Sequence, residues 1–119
     1  MARVEVSVAA QADLARLIAS HSLPADTRER VKRSLRHLER FPLLGPALGG
    51  QWEGFRFLLG PWRWLILVYV YLEEDDRVVV ITIQDGRAGT SFKRFLADAP
   101  DLDELRIKRS AEQAPTVEL

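Results

Sequence analysis

Only two histidines, His21 and His37, and no cysteine are available for metal or nucleophilic chemistry. Disulfides and thiolate ligands are therefore excluded. A zinc site would need carboxylates to complete it. The histidines stand sixteen positions apart with no ligand motif around either, and both read as surface residues. The run Glu73, Glu74, Asp75, Asp76 lacks the spacing of a calcium loop and reads as a hairpin turn. No metal and no cofactor are expected. Cations and aromatics are more informative. Arg28, Arg30, Lys32, Arg33, Arg36 and Arg40 crowd one segment. A solvated helix face is the plainer reading of them, and a surface for a protein or for DNA the sharper one. Trp62, Arg63 and Trp64 place a guanidinium between two indoles, a pattern that favours cation–π stacking. Exposed tryptophans also commonly anchor interfaces. Trp52 reads as core or edge packing.

These residues depend on the elements around them. Val4, Val6 and Val8 alternate with polar residues, the period of a half-buried strand. Leu14, Leu17 and Ile18 then fall at helical spacing, which predicts a first helix over residues 10–20. Pro24 suits the first turn of a second helix. That helix carries Val31, Leu35 and Leu38 as its apolar stripe, and Pro42 stops it near Arg40. Residues 44–50 are rich in Gly and Pro and read as a loop. Three strands follow, over residues 52–59, 62–72 and 77–84, separated by Gly60-Pro61 and by the acidic turn. The middle one is apolar on both faces, as a central strand is. Short helices are expected over residues 91–97 and 101–109, with a frayed tail from Ser110. The order strand, helix, helix, antiparallel three-stranded meander predicts a two-layer α+β fold, with both helices on one face of the sheet.

The chain has 119 residues, 47% hydrophobic and 29% charged, enough for one modest core and unlike a disordered chain. Its formal net charge is +0, so a globally basic nucleic-acid binder is not the default reading. The zero hides an asymmetry. Residues 1–72 hold ten Lys/Arg against six Asp/Glu, a net of +4, and residues 73–119 hold seven against eleven, a net of −4. The longest apolar run, residues 64–72, is nine long, whereas a membrane helix needs roughly 20. With no signal-peptide pattern at the start, a cytoplasmic protein is expected.

The ordered set of motifs resembles the RelE/ParE superfamily of toxins from type II toxin–antitoxin systems. Ala10, Asp13 and Leu14 resemble the family's first helix start. Leu23-Pro24 and the Arg-rich segment resemble its second helix. Phe41-Pro42 with Gly45 and Leu48 resembles its loop. Gly54-Phe55-Arg56 and Gly60-Pro61-Trp62-Arg63 resemble its hairpin, and residues 78–83 with Arg87 its last strand and trailing basic residue. The resemblance implies a toxin domain over residues 1–97, with 98–119 as a C-terminal extension, partly helical or disordered. It also implies growth inhibition, a place in plasmid stabilization and neutralisation by a cognate antitoxin.

The superfamily divides by activity. RelE-like members cut mRNA on the ribosome, and ParE-like members poison DNA gyrase. RNA cleavage needs a base, an acid and positive charge for the phosphorane-like transition state. On the resemblance, Arg56, Arg63 and Arg87 occupy charge-stabilising positions. Phe92 falls near a family Tyr and lacks its hydroxyl, and Gly54 falls where a Lys is expected. Asp85 and Glu53 are the remaining candidates for proton transfer, neither with an assigned partner. The expectation is therefore the ParE-like branch, acting on a protein target such as gyrase. An RNA-cleaving toxin and a non-toxic binding module on the same fold are the alternatives. The expected partner-binding residues are Trp62, Arg63, Trp64, Arg87 and Phe92, with a homodimer or a toxin–antitoxin hetero-oligomer as the assembly. Because the helices cover only one face of the central strand, its other face is expected to be covered partly by residues 91–105 and otherwise by the antitoxin.

Overall fold

The computed structural model describes residues 1–48, 54–87 and 116–117. β1 (Arg3–Ser7) leads straight into α1 (Val8–His21), and α2 (Thr27–Arg40) follows. The meander is β2 (Phe55–Leu59), β3 (Leu65–Leu72) and β4 (Arg77–Asp85), and β5 (Thr116–Val117) closes the order. The sheet runs β2-β3-β4-β1-β5. β1 lies parallel to β4, and every other pairing is antiparallel.

Local chemistry explains the junctions. Ser7 ends β1 and caps α1: its Oγ accepts the Ala10 N–H at 3.0 Å, one of the N–H groups a helix start leaves unpaired. The same hydroxyl donates to the Ile81 carbonyl at 3.2 Å, which ties the strand–helix corner to β4. α2 turns Val31, Leu35 and Leu38 into the core, each at most 4% exposed. Such side chains contribute about 1.5–3 kcal/mol each on burial. The β3–β4 turn ends on Asp76, at φ 47°, a left-handed position that Asp tolerates.

Two apolar clusters sandwich the sheet. The larger joins Ala10 and Leu14 of α1 and the α2 stripe to Val6, Leu65, Leu67, Tyr69, Val78, Val80 and Ile83. The smaller, on the opposite face, holds Phe55, Val68, Val70, Leu72 and Val79.

The expected architecture is present, with four corrections. β3 starts at Leu65, because Trp62 and Trp64 belong to the turn before it. Consequently they do not lie on the opposite face from Leu65 and Leu67, where a strand alternation counted from Trp62 would put them; all four pack in the helix-side cluster. The second face does not wait for a partner, since Val68, Val70 and Val79 are fully buried within the single chain. Finally, the tail is not frayed throughout, because Thr116 and Val117 pair with Ser7 and Val6 of β1. Trp52, Glu53, Phe92 and the expected helices over 91–97 and 101–109 lie outside the described residues.

Candidate functional site

The end of β4, the turn before β3 and the C-terminus of α1 converge on one set of polar and aromatic side chains. β4 brings Asp85, which pairs across the sheet with Leu65, the first residue of β3. Just before Leu65 stands Trp64. Its carbonyl accepts the Gly86 N–H at 2.6 Å, so the β4 exit is fastened to the β3 entry. Trp64 stacks on Trp62 with ring centroids 5.8 Å apart and planes 15° apart. It also stacks on His21, at 5.2 Å and 13°. Two guanidiniums cap the group: Arg87 lies 4.1 Å from the Trp64 ring and Arg30 lies 5.8 Å from that of Trp62. Stacked cations of this kind contribute about 0.5–2 kcal/mol each.

His21 and Asp85 form the ionic centre of the group. His21 Nε2 and Asp85 Oδ2 are 2.8 Å apart, and Ser20 Oγ lies 2.8 Å from His21 Nδ1. Asp85 Oδ1 accepts the Arg87 backbone N–H at 2.8 Å, with the Arg87 Nε at 3.4 Å. Burial pushes the Asp85 carboxyl up. The Arg87 N–H, the His21 ring and the Arg87 guanidinium outweigh it and hold the carboxyl below its ordinary value. An ionised Asp85 accepts from Nε2–H, which leaves Nδ1 to accept from Ser20, so one tautomer satisfies the network.

A cleft of about 170 Å³ opens beside this pair, lined by Asp13, Arg16, His21, Gln84 and Asp85 among others. Asp13 is already committed. Its Oδ2 accepts from Thr82 Oγ1 at 2.7 Å and from the Ile83 N–H at 3.3 Å, and its Oδ1 pairs with Arg16. The parallel ladder with β1 ends at Val80, so Asp13 supplies the Ile83 N–H with an acceptor that β1 does not reach. Among the described residues no group of three or more His, Asp and Glu side chains is arranged to hold a metal.

The three arginines singled out by sequence do not form one cationic patch on an open sheet face. Arg56 sits on β2 opposite Tyr69, hence on the helix side of the sheet. Its guanidinium donates to the Gly45 carbonyl at 2.8 Å and to that of Leu43 at 3.4 Å. Arg56 thus braces the 41–48 loop, four rungs or about 13 Å along β3 from Leu65. Arg87 reaches the aromatic stack, as just described. Arg63 is exposed in the turn between the two stacked tryptophans, and among the described residues its side chain meets no carboxylate. The structure therefore gathers Trp62, Trp64 and Arg87, with Arg63 at their edge, and separates Arg56.

Sequence reasoning missed His21 as the partner of Asp85. The two are 64 positions apart, and no spacing rule connects them. Arg30 was read only as part of a charged helix face. A signal did exist for Asp85, since Asp85-Gly86 at a strand end is a place where a carboxylate accepts the N–H two residues on.

Comparison with known proteins places the fold. No family model matches the sequence, and no curated protein does. Solved structures do match. The toxin–antitoxin complex RelBE2 from Mycobacterium tuberculosis contains a chain similar at 23% identity and TM-score 0.54, over 71% of this chain and 96% of that one. The intact E. coli RelBE toxin–antitoxin complex matches at 18% identity and TM-score 0.52, over 71% and 96%. The isolated E. coli RelE toxin matches at 17% and 0.51, over 80% and 99%. Matches that span nearly the whole of those chains, at TM-scores of 0.51–0.54, show that this protein has the fold of the RelE-type toxins.

Proposed function

We propose that this protein is the toxin of a type II toxin–antitoxin pair, silenced by a cognate antitoxin, and that it acts on a protein target such as DNA gyrase. The toxin reading is supported by the likeness, over 71–80% of this chain, to RelE-type structures, two of them solved as toxin–antitoxin complexes. The choice of target is carried by the arginines. Stabilising a phosphorane needs several cations converging on one point. Here Arg56 is spent on loop carbonyls and Arg87 on Asp85 and Trp64, which leaves Arg63. The turn holding Trp62 and Trp64 against the core instead presents the exposed Arg63 on a fixed backbone, a residue type enriched in protein recognition.

A ribosome-dependent mRNA-cleaving toxin is the second reading, favoured by the His21–Asp85 pair beside Arg87. That pair sets an imidazole against a carboxylate, 2.8 Å apart, beside a guanidinium. In its present network both ring nitrogens are engaged.

Expression of the chain alone, and together with the product of the adjacent reading frame, tests the toxin. Growth arrest relieved by the second protein is expected, and no arrest leaves a non-toxic binding module. With purified protein, inhibition of gyrase supercoiling and no codon-phased mRNA cuts by primer extension are expected. Cuts that vanish in His21→Ala, with normal supercoiling, would replace the first reading by the second.

A further inference from the structure

α2 carries a second stripe besides the one it buries. Arg33, Arg36, His37 and Arg40 stand at i, i+3, i+4 and i+7, so they share a helix face. All four are exposed. Among the described residues none of their side chains forms an ion pair, whereas Arg30, one turn earlier, is held by Asp26 at 2.9 Å. The stripe runs directly into the loop after the helix, where Phe41, Leu43 and Leu44 are 61%, 52% and 52% exposed.

This loop is held in place. The Leu44 N–H bonds the Phe41 carbonyl at 3.0 Å, and Leu48 N–H bonds the Phe55 carbonyl at 2.9 Å. Arg56 and the Tyr69 hydroxyl grip Gly45 from below. Three large apolar side chains are thus displayed to water on a fixed backbone beside three arginines and a histidine that meet no carboxylate among the described residues. A monomer gains nothing from that arrangement, and contiguous exposed apolar surface marks an interaction site.

We infer that the C-terminal half of α2 and the 41–44 loop form the docking surface for an acidic, amphipathic segment of a partner protein. Its carboxylates meet the Arg33–Arg36–Arg40 stripe, and its apolar side chains cover Phe41, Leu43 and Leu44. Charge complementarity selects an acidic partner. The apolar residues select a protein over a nucleic acid, because a phosphate backbone offers them nothing to bury against. A fixed loop also lowers the ordering cost of association. The inference rests on the reading that the chain has a protein partner, and it locates the contact away from Trp62 and Trp64.

The probe is the product of the adjacent reading frame, titrated calorimetrically against the purified chain. R33E/R36E/R40E and L43D/L44D alter exposed positions, and circular dichroism should show them folded. Each is expected to weaken binding about 100-fold. Ala19→Glu, a negative charge added on exposed α1, should leave binding within about threefold, since it changes net charge and not the surface. If the complex forms and both multiple variants bind like wild type, the docking surface is overturned while the toxin–antitoxin reading stands. If wild type binds no such product, that reading falls. A synthetic Glu/Leu amphipathic peptide then decides: amide resonance shifts confined to residues 33–44 support the surface. Their absence, or shifts there with a 20-base-pair duplex in place of the peptide, overturns it.

Discussion

The Tyr69 hydroxyl accepts the Gly45 N–H at 2.9 Å from a side chain with no exposure at all. Burial pushes this phenol above its ordinary 10.0, while the Gly45 N–H and Arg56 pull the other way. A raised value in the folded state means that the fold keeps a proton the unfolded chain releases. Stability from this group is therefore complete below about pH 10 and falls as pH rises further. Tyr69→Phe strands a buried N–H and should cost about 1–3 kcal/mol by urea unfolding. The variant should also lack the alkaline loss that the wild type shows. Asp85 has the opposite sign. Its carboxyl is held low, so its contribution is complete above its ordinary 3.8 and fades as pH drops below that. Asp85→Asn should lose about 1 kcal/mol at neutral pH and flatten the acid limb of the stability curve. An unchanged limb would mean that the His21 and Arg87 contacts do not persist in solution.

The corner between β1 and α1 is an element-scale device, because Ser7 caps the helix and bonds β4 with one hydroxyl. Ser7→Ala should cost about 1–2 kcal/mol in chemical denaturation, more than Ser34→Ala, whose hydroxyl only bonds back to the Arg30 carbonyl of its own helix. A loss under 0.3 kcal/mol would mean that the cap is replaceable by water. Gly45 is the matching constraint on the loop: a Cβ there would collide with the Phe57 carbonyl oxygen. Turn chemistry in the sequence marked that loop, and apolar periodicity marked both helices and the three meander strands. What periodicity could not do was stop. Trp62 and Trp64 continue the alternation of β3 into the preceding turn, because a half-buried turn and a strand show the same period of two. Sheet order was equally hidden, since the parallel Val6↔Val80 pairing joins distant segments that carry no mutual signal. The site suffered for the same reason. Arg87 and Trp64 were visible as types, but the His21–Asp85 contact that organises them arises only when α1 packs beside the end of β4.

Over the whole molecule, fold and recognition occupy different residues of the same short turn. Trp62 and Trp64 pack against the helix-side core and are stacked on each other. Arg63 between them faces water. Trp64→Asp removes the ring on which His21 and Arg87 rest and puts a carboxylate beside Asp85. It should cost about 3 kcal/mol, on the scale of other large-to-small losses, and lower the melting temperature by about 10 °C. Loss of toxicity in that variant would therefore say little about target contact. Arg63→Glu disturbs no described partner, so its melting temperature should stay within about 1 °C of wild type. On the proposed reading it should nonetheless abolish growth arrest, because it reverses the one cation the turn presents to a target. It should still bind the antitoxin, whose docking surface lies on α2 and the 41–44 loop. Melting curves, a growth assay and a co-purification on these two variants separate the cases. Full toxicity in Arg63→Glu would move the target contact off this turn, whatever becomes of the antitoxin surface.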